Sequence, residues 1–315
     1  MFLDMACFFR GYPKIHVLRI LDSYNIGAEC GLDVLIDKSL VFISGDNKLE
    51  MPDLIEYMGR YVVKKIQKDL GEPTRIWDVE DFEKVMLNNT ETKAMESIWL
   101  RDDSIKKLRF SKEVMKNMER LKLLYINEFD THDAIEYLPN SLCWIEIFGY
   151  PWELLPEKFE PKRLVHLELQ EGLLRHLWFE TKHFPCLRTL DLRSSQNLMQ
   201  TPDFSGMPNL EHLDLGLCRS LKELFRAAFV KFESLPEEIG DLEHLEELDS
   251  RWTLISRPPY SIVRLNKLKF LSFGKNISAK GVLFVFRRVN EGLRSLEILN
   301  LSYCNLIYGE LLDDI

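Results

Sequence analysis

The chain has 315 residues, of which 46% are hydrophobic and 29% charged, and its formal net charge is −9. This length is sufficient for two domains with sizeable cores, whereas the acidic balance argues against general nucleic-acid binding, which requires surfaces rich in lysine and arginine. No apolar run approaches the ~18–20 residues of a membrane-spanning helix, and the start of the chain lacks the basic region of a signal peptide.

The first ninety residues contain no repeat, and their apolar spacing predicts a winged-helix order of elements. A short buried helix over residues 2–9 is expected to end at residues 10–13, and further helices are predicted from Ile15 and over residues 28–38. A β-rich run then turns at residues 44–47 and returns as a second strand. Three helices, a hairpin and a further helix are the elements of a winged helix.

The helix after the hairpin is predicted from a capping signal. Asp53 and Glu56 stand three positions apart before an apolar run, as in a capping box, and Asp53 is the expected N-cap. Five apolar residues share helical spacing and are expected to form the buried side of this helix: Leu54, Ile55, Met58, Val62 and Ile66.

A winged helix raises the question of DNA binding, because such folds can place one helix in the major groove. The helix before the hairpin would be the reader, and it carries Glu29, Asp33 and Asp37 against the single Lys38. Acidic side chains repel phosphates, so we expect no nucleic-acid partner.

From about residue 118 an L-x-x-L-x-L unit recurs along the chain. The units begin at Leu121, Leu142, Leu164, Leu187, Leu210, Leu245, Leu268 and Leu296. The first five starts are about 21–23 residues apart, the period of a leucine-rich repeat. This period predicts an α/β solenoid with a curved parallel sheet, a horseshoe, after the winged-helix domain.

The predicted domain borders follow from these patterns. We predict a winged-helix domain over residues 1–90, a junction and repeat cap over 91–117, and about eight leucine-rich repeats over 118–315. A strand over 95–100 would cover the first core layer of the solenoid. The long step from Leu210 to Leu245 predicts an irregular break near residues 222–244.

The six cysteines are scattered and form no C-x-x-C pair. Cys218 and Cys304 occupy the ninth position of their repeats, where a small side chain can point into the core. This usage favours free thiols in a reducing compartment. We therefore expect a cytoplasmic protein, with the nucleus as the alternative location.

Side chains between the leucines should point outward, because strand side chains alternate. The slot between the second and third apolar positions is acidic in five consecutive units: Glu146, Glu168, Asp191, Asp214 and Asp249. His166 and His212 lie in the adjacent outward column. The acids form either a solvated face, partly offset by Arg163, Arg188 and Arg193, or a docking strip for a basic protein partner.

Catalytic and metal-binding interpretations of this column are weaker. Neighbouring acids have the spacing of a retaining glycosidase pair, but an open ladder of strands provides no cleft that excludes water. His166 and His212 would be ~9–10 Å apart, with the strand of Thr189 between them, so they could not share a zinc ion without other ligands. We expect no catalytic residue, no metal site and no enzymatic activity.

Several segments resemble motifs of plant disease-resistance proteins of the TIR–nucleotide-binding–leucine-rich-repeat class. The matching segments are Phe2–Phe9 (FLDMACFF), 34–40 (VLIDKSL), 51–55 (MPDLI), 58–59 (MG), 75–77 (RIW) and 137–144 (YLPNSLCW). The resemblance implies a partial intracellular immune receptor without the TIR domain and phosphate loop. Its partners would be a pathogen effector, a host protein or the receptor's own nucleotide-binding domain. The alternative is a leucine-rich-repeat scaffold of another pathway, such as a ubiquitin-ligase adaptor, or an inert remnant.

Two departures from this family concern nucleotide binding. The family's Met-His-Asp motif, whose histidine is held to contact bound ADP, reads Met51-Pro52-Asp53 here. Proline has neither a side-chain donor nor a backbone N–H, so Pro52 cannot make that contact. The chain also lacks a G-x-x-x-x-G-K-[S/T] phosphate loop. We therefore expect no cofactor in this chain, although full-length family members hold ADP or ATP.

Overall fold

A computed structural model describes residues 1–24, 27–70, 73–88, 92–101, 111–127, 137–221, 235–275, 283–284 and 292–306. The chain divides into two compact units, an N-terminal unit over Met1–Glu146 and a C-terminal unit over Ile147–Ile315. None of the described helices combines the length and the apolarity that crossing a membrane requires.

The N-terminal unit begins with the winged-helix elements. They are α1 (Phe2–Asp4), which continues as a π-helix (Met5–Phe9), then α2 (Lys14–Asp22), α3 (Ala28–Asp37), β1 (Phe42–Ile43), β2 (Leu49–Glu50) and α4 (Asp53–Leu70). β1 and β2 pair in antiparallel fashion. Gly11, with φ +82°, follows the π-helix and permits the turn that ends it. The predicted winged-helix order is confirmed.

Further along the chain, the same unit contains parallel strands. Its remaining elements are β3 (Arg75–Ile76), α5 (Val79–Asn88), β4 (Ser97–Leu100), α6 (Lys112–Asn117), β5 (Leu123–Ile126) and β6 (Trp144–Phe148), whose last two residues belong to the next unit. β3, β4 and β5 are parallel neighbours. The predicted capping strand is therefore β4, and a further strand, β3, lies outside it. The parallel sheet begins before residue 118, while the predicted domain borders remain predictions.

One core joins the helices to these strands. Ile98 and Leu100 of β4 point into the repeat core, whereas Trp99 between them packs against the winged-helix side chains. The ring of Trp99 lies 5.2 Å from that of Phe9 and stacks on that of Tyr125 at 4.2 Å. The sheet face opposite the leucines is therefore covered by helices here.

The side of α4 that is buried differs from the predicted one. Gly59 and Val63 are buried, whereas Leu54 is 75% exposed and Met58 44% exposed. Tertiary packing decides this orientation, because Gly59 lies against Ala6 and leaves no room for a Cβ. A spacing pattern with apolar residues on two sides of a helix cannot show which side the neighbouring element covers.

The start of α4 also differs from the prediction. The carbonyl of Pro52 accepts hydrogen bonds from the N–H groups of Ile55 (2.9 Å) and Glu56 (3.0 Å), so Pro52 is the N-cap and Asp53 the first helical residue. The Asp53 carboxylate pairs with Arg10 at 2.7 Å. The predicted capping box is wrong because Arg10 engages both of its acids, Asp53 and Glu56.

The C-terminal unit carries the regular repeats. Its strands are β7 (His166–Gln170), β8 (Thr189–Asp191), β9 (His212–Asp214), β10 (Glu247–Asp249), β11 (Phe270–Ser272), β12 (Leu283–Phe284), β13 (Ile298–Asn300) and β14 (Asn305–Leu306). β7 to β11 and β13 pair in parallel, and β12 pairs with β14. The register aligns one inward column of leucines: Leu167, Leu190, Leu213, Leu248, Leu271 and Leu299. The predicted parallel leucine ladder is confirmed.

Short 3-10 helices form the returning side of three repeats, over Phe204–Gly206, Glu237–Asp241 and Tyr260–Arg264. The first five leucines of the column are at most 1% exposed. Each of them stabilises the fold by about 1.5–3 kcal/mol once a neighbouring repeat covers it. Cys218 is fully buried, as predicted, and its thiol donates to the carbonyl of Leu192 at 3.2 Å.

The sheet continues across the long step between Leu210 and Leu245. Leu248 of β10 pairs directly with Leu213 of β9, so the additional residues leave the sheet uninterrupted. Residues 235–244 already contain the 3-10 helix of the next repeat. The remainder of the predicted break, residues 222–234, lies outside the described residues.

Candidate functional site

The candidate recognition surface is the outward face of the C-terminal unit, the face of β7–β11 and β13 opposite the leucine core. Its centre is the predicted polar column. Four column residues accept a hydrogen bond, at 2.7–3.0 Å, from the backbone N–H two positions further on: Asp191, Asp214, Asp249 and Asn300. Side-chain oxygens of Asp and Asn commonly stabilise tight turns in this way. The column therefore has a structural role at the strand ends.

The backbone after each strand explains why the turn needs this support. Six residues that lie three positions after a column residue adopt a left-handed conformation, with φ between 54° and 68°: Gly149, Glu171, Ser194, Leu217, Trp252 and Tyr303. Non-glycine residues pay about 1–2 kcal/mol for this conformation. The Asp or Asn hydrogen bond helps offset that penalty, which accounts for much of the acidity of the column.

The acids of the column are less accessible than a solvated face requires. Glu146 is 5% exposed, Asp191 7% and Asp249 6%, and Glu168 and Asp214 are half-buried. The interpretation of the column as a solvated face is therefore wrong for three of its five acids. The role of the five acids in protein binding remains a prediction.

Glu146, in the N-terminal unit, is buried by its own neighbours. Its carboxylate accepts a hydrogen bond from Trp144 Nε1 at 2.6 Å, and His16 Nε2 of α2 lies 3.6 Å away. Sequence spacing places Glu146 in the same slot as Asp191 but contains no information on the helix that covers it.

Arginines interleave with the column acids in the C-terminal unit. Arg193 Nη2 lies 2.8 Å from Asp191, and its Nε lies 3.5 Å from Asp214. Arg193 therefore offsets the charge of the column acids, as predicted. Arg188 instead pairs with Glu211 at 2.9 Å, outside the column. Arg251, for which the sequence predicted no such role, pairs with Asp249 at 2.9 Å. Arg251 occupies the same repeat position as Arg193, and that offset could have identified it. Arg163 lies exposed before β7.

The two central acids influence each other's titration. Burial and the nearby charge of Glu168 raise the pKa of Asp191, against the lowering effect of Arg193. Burial and the charge of Asp191 raise the pKa of Asp214 to about 6. The column therefore changes its charge near neutral pH.

The two histidines each pair with an acid. His166 is buried, with Nε2 3.2 Å from Glu168, and His212 Nδ1 lies 3.3 Å from Glu247. Thr189 stands between the histidines in the register, as predicted. The accessible charges of the face include Glu247, at 59% side-chain exposure, and Arg251, at 44%.

Met51, Pro52 and Asp53 stand where the family that the chain resembles has its nucleotide-sensing Met-His-Asp motif. All three make contacts within the N-terminal unit. Met51 is buried in the core, Pro52 caps α4 through its carbonyl, and Asp53 pairs with Arg10. Pro52 supplies no hydrogen-bond donor toward a phosphate. These three residues do not fit a nucleotide contact of the family type.

The comparisons with known proteins agree with this architecture. Residues 1–67 match a family model described as the winged-helix domain of Roq1-like disease resistance proteins. The chain is 40% identical over 422 aligned residues to TMV resistance protein N of Nicotiana glutinosa, an alignment that covers 100% of this chain and 36% of that protein. It is also 36% identical to disease resistance protein RPP2A of Arabidopsis thaliana, over 70% of this chain and 17% of that protein.

Among solved structures, the chain is similar to the leucine-rich-repeat protein LIC12759 of Leptospira interrogans. The TM-score is 0.39 and the sequence identity 17%, over 68% of this chain and 62% of that one. The chain spans about a third of the length of TMV resistance protein N and less of the length of RPP2A.

Proposed function

Because this chain belongs to the plant disease-resistance proteins, which it matches over its full length, we propose that it is the protein-recognition part of an intracellular immune receptor. In this proposal the outward face of the C-terminal unit binds a pathogen effector or a host protein. The winged-helix elements couple that binding to defence signalling.

The observation that carries the proposal is the regular outward face of β7–β11 in a chain related to disease-resistance proteins. Strand after strand places two outward side chains in register, as at His212 and Asp214. Such a surface varies in chemistry from repeat to repeat while its backbone remains constant, which suits the recognition of a protein surface.

Binding rather than catalysis is the activity that these residues favour. Asp191, Asp214 and Asp249 accept backbone hydrogen bonds, and each of them also pairs with an arginine. Each carboxylate is thereby fixed in the turn that follows its strand, which favours a structural role over catalysis. We infer that the chain needs no cofactor of its own and acts in the cytoplasm or the nucleus.

The test is site-specific photocrosslinking from the outward face. A photoreactive residue replaces Glu247, which is exposed on the face, and in a matched chain it replaces Glu238, which is exposed on a 3-10 helix of the returning side. In leaf tissue with and without infection, we expect one protein to crosslink through position 247 and not through position 238.

The captured protein is then purified and its affinity measured. Glu247→Lys should weaken binding about tenfold, while Glu238→Lys should leave it unchanged. Equal crosslinking from both positions, or equal affinity of both variants, would contradict recognition through the outward face.

A further inference from the structure

Helix α4 of the N-terminal unit presents an apolar stripe to solvent. Four large residues at positions i, i+3, i+4 and i+7 are exposed: Leu54 by 75%, Tyr57 by 69%, Met58 by 44% and Tyr61 by 57%. This spacing places them on a single side of the helix. The opposite side, with Gly59 and Val63, already packs into the core. The stripe is therefore additional to the apolar surface that the fold buries.

The ends of this stripe carry opposite charges. Asp53, which pairs with Arg10 of its own chain at 2.7 Å but whose side chain remains 90% exposed, stands at its N-terminal end. Lys64, with 59% side-chain exposure, and the exposed Lys65 and Lys68 continue the same side toward the C-terminal end. The surface thus has an acidic end, an apolar middle and a basic end along one helix.

A surface with this order is complementary to itself when one copy is turned end to end. Two-fold symmetric dimers bury the same patch of both subunits, so a residue on one side of the axis faces its counterpart on the other side. Residue 59 is equidistant along the helix from Tyr57 and Tyr61, and also from Asp53 and Lys65. An axis beside residue 59 would place each acidic end opposite a basic end.

We propose that α4 is a self-association surface that pairs in antiparallel fashion with α4 of a second copy of this chain. Tyr57 packs against the partner's Tyr61, and Tyr61 against the partner's Tyr57. Leu54 lies along the alkyl chains of the partner's lysines, because long basic side chains cover apolar surface while their charged ends remain in water. Asp53 reaches the partner's Lys65. In the antiparallel orientation the two helix dipoles also point in opposite directions, which is electrostatically favourable.

The small size of the stripe determines the expected strength. Stable dimers bury about 800 Å² per partner, and a stripe of four large side chains on one helix covers less than that. We therefore expect a reversible dimer whose population depends on protein concentration.

Sedimentation velocity of the full chain over a concentration series tests the proposal. We expect the weight-average mass to rise from monomer toward dimer. Tyr57→Glu and Tyr61→Glu should each weaken the dimer at least tenfold, because they place a charge in the apolar middle. Tyr260→Glu is the matched control, since Tyr260 is also exposed but lies in the C-terminal unit, and it should leave the dimer unchanged.

A charge-reversal pair tests the antiparallel geometry. Lys65→Glu should weaken the dimer about tenfold, and adding Asp53→Lys should restore it, with circular dichroism melts to verify that both variants fold. A chain that stays monomeric at all concentrations, an equal effect of Tyr260→Glu, or a folded double variant without recovery would overturn the proposal. None of these outcomes depends on whether the outward face recognises a protein.

Discussion

At the scale of single residues, the outward acids illustrate how one position can serve structure and charge at once. Asp214 accepts the N–H of Gly216 at 2.7 Å and lies 3.5 Å from Arg193. Burial and the charge of Asp191 nevertheless raise its pKa from 3.8 to about 6. When the pKa of an aspartate is raised in this way, the folded protein favours the neutral form of that side chain.

The consequence for stability has a definite sign. Below pH ~4 both the folded and the unfolded chain hold the proton on Asp214, so its contribution is zero. Between pH ~4 and ~6 the unfolded chain releases the proton first, and stability falls as the pH rises. Asp214→Asn keeps the acceptor for Gly216 and removes this penalty. We expect it to raise the free energy of unfolding by about 1–2 kcal/mol at pH 7.5, and by less at pH 4.

Asp203 is a control for this prediction, because the fold lowers its pKa instead of raising it. It accepts hydrogen bonds from the Thr181 hydroxyl and the Ser205 N–H, which lower its pKa. Asp203→Asn should therefore lower stability at pH 7.5 relative to pH 4. Urea denaturation at both pH values measures the two variants. A gain for Asp214→Asn that is the same at both pH values would rule out the titration as its cause.

At the scale of elements, the contact between α4 and the N-terminal helices depends on a glycine. Gly59 lies where a Cβ would overlap the Cβ of Ala6. Alanine is the better helix former by about 1 kcal/mol, yet the overlap forces α4 away from its neighbour at a cost of about 1–3 kcal/mol. We expect Gly59→Ala to lower the melting temperature in a thermal circular-dichroism melt.

Gly31 in α3 is the matched control for this substitution. A Cβ there would meet only the end of the flexible Met1 side chain, which can move away. Gly31→Ala should therefore leave the melting temperature unchanged or raise it. Equal losses for both variants would indicate that helix α4 is not held by close packing at Gly59.

At the scale of the whole molecule, the N-terminal unit joins two kinds of structure in one core. Trp99 of β4 contacts the rings of Phe8, Phe9, Tyr12 and Tyr125. Asp4 in α1 also pairs with Arg75 in β3 at 2.8 Å. The winged-helix elements and the first parallel strands are therefore one cooperative body, within Met1–Glu146.

Removal of the Trp99 ring should destabilise the winged-helix elements and the first parallel strands together. We expect Trp99→Ala to lower stability by about 3–5 kcal/mol, because a large buried ring leaves a cavity. Amide hydrogen exchange should then accelerate in α1 and α2 and also in β4 and β5. Trp252→Ala, at a half-exposed position of the other unit, is the control. Acceleration confined to the helices would show that the strands do not share their core.

The leucine period by itself determined the parallel ladder, because only stacked neighbours can bury a repeating apolar triplet. The order of three helices, hairpin and helix was equally legible from apolar spacing and turn residues. Only the tertiary structure decided which side of α4 is buried, because its sequence is apolar on more than one side. It also decided that Glu146 is covered, and that Asp191 and Asp249 cap turns instead of facing solvent. Repeat spacing assigns these acids to one column, whereas their burial depends on elements distant in sequence.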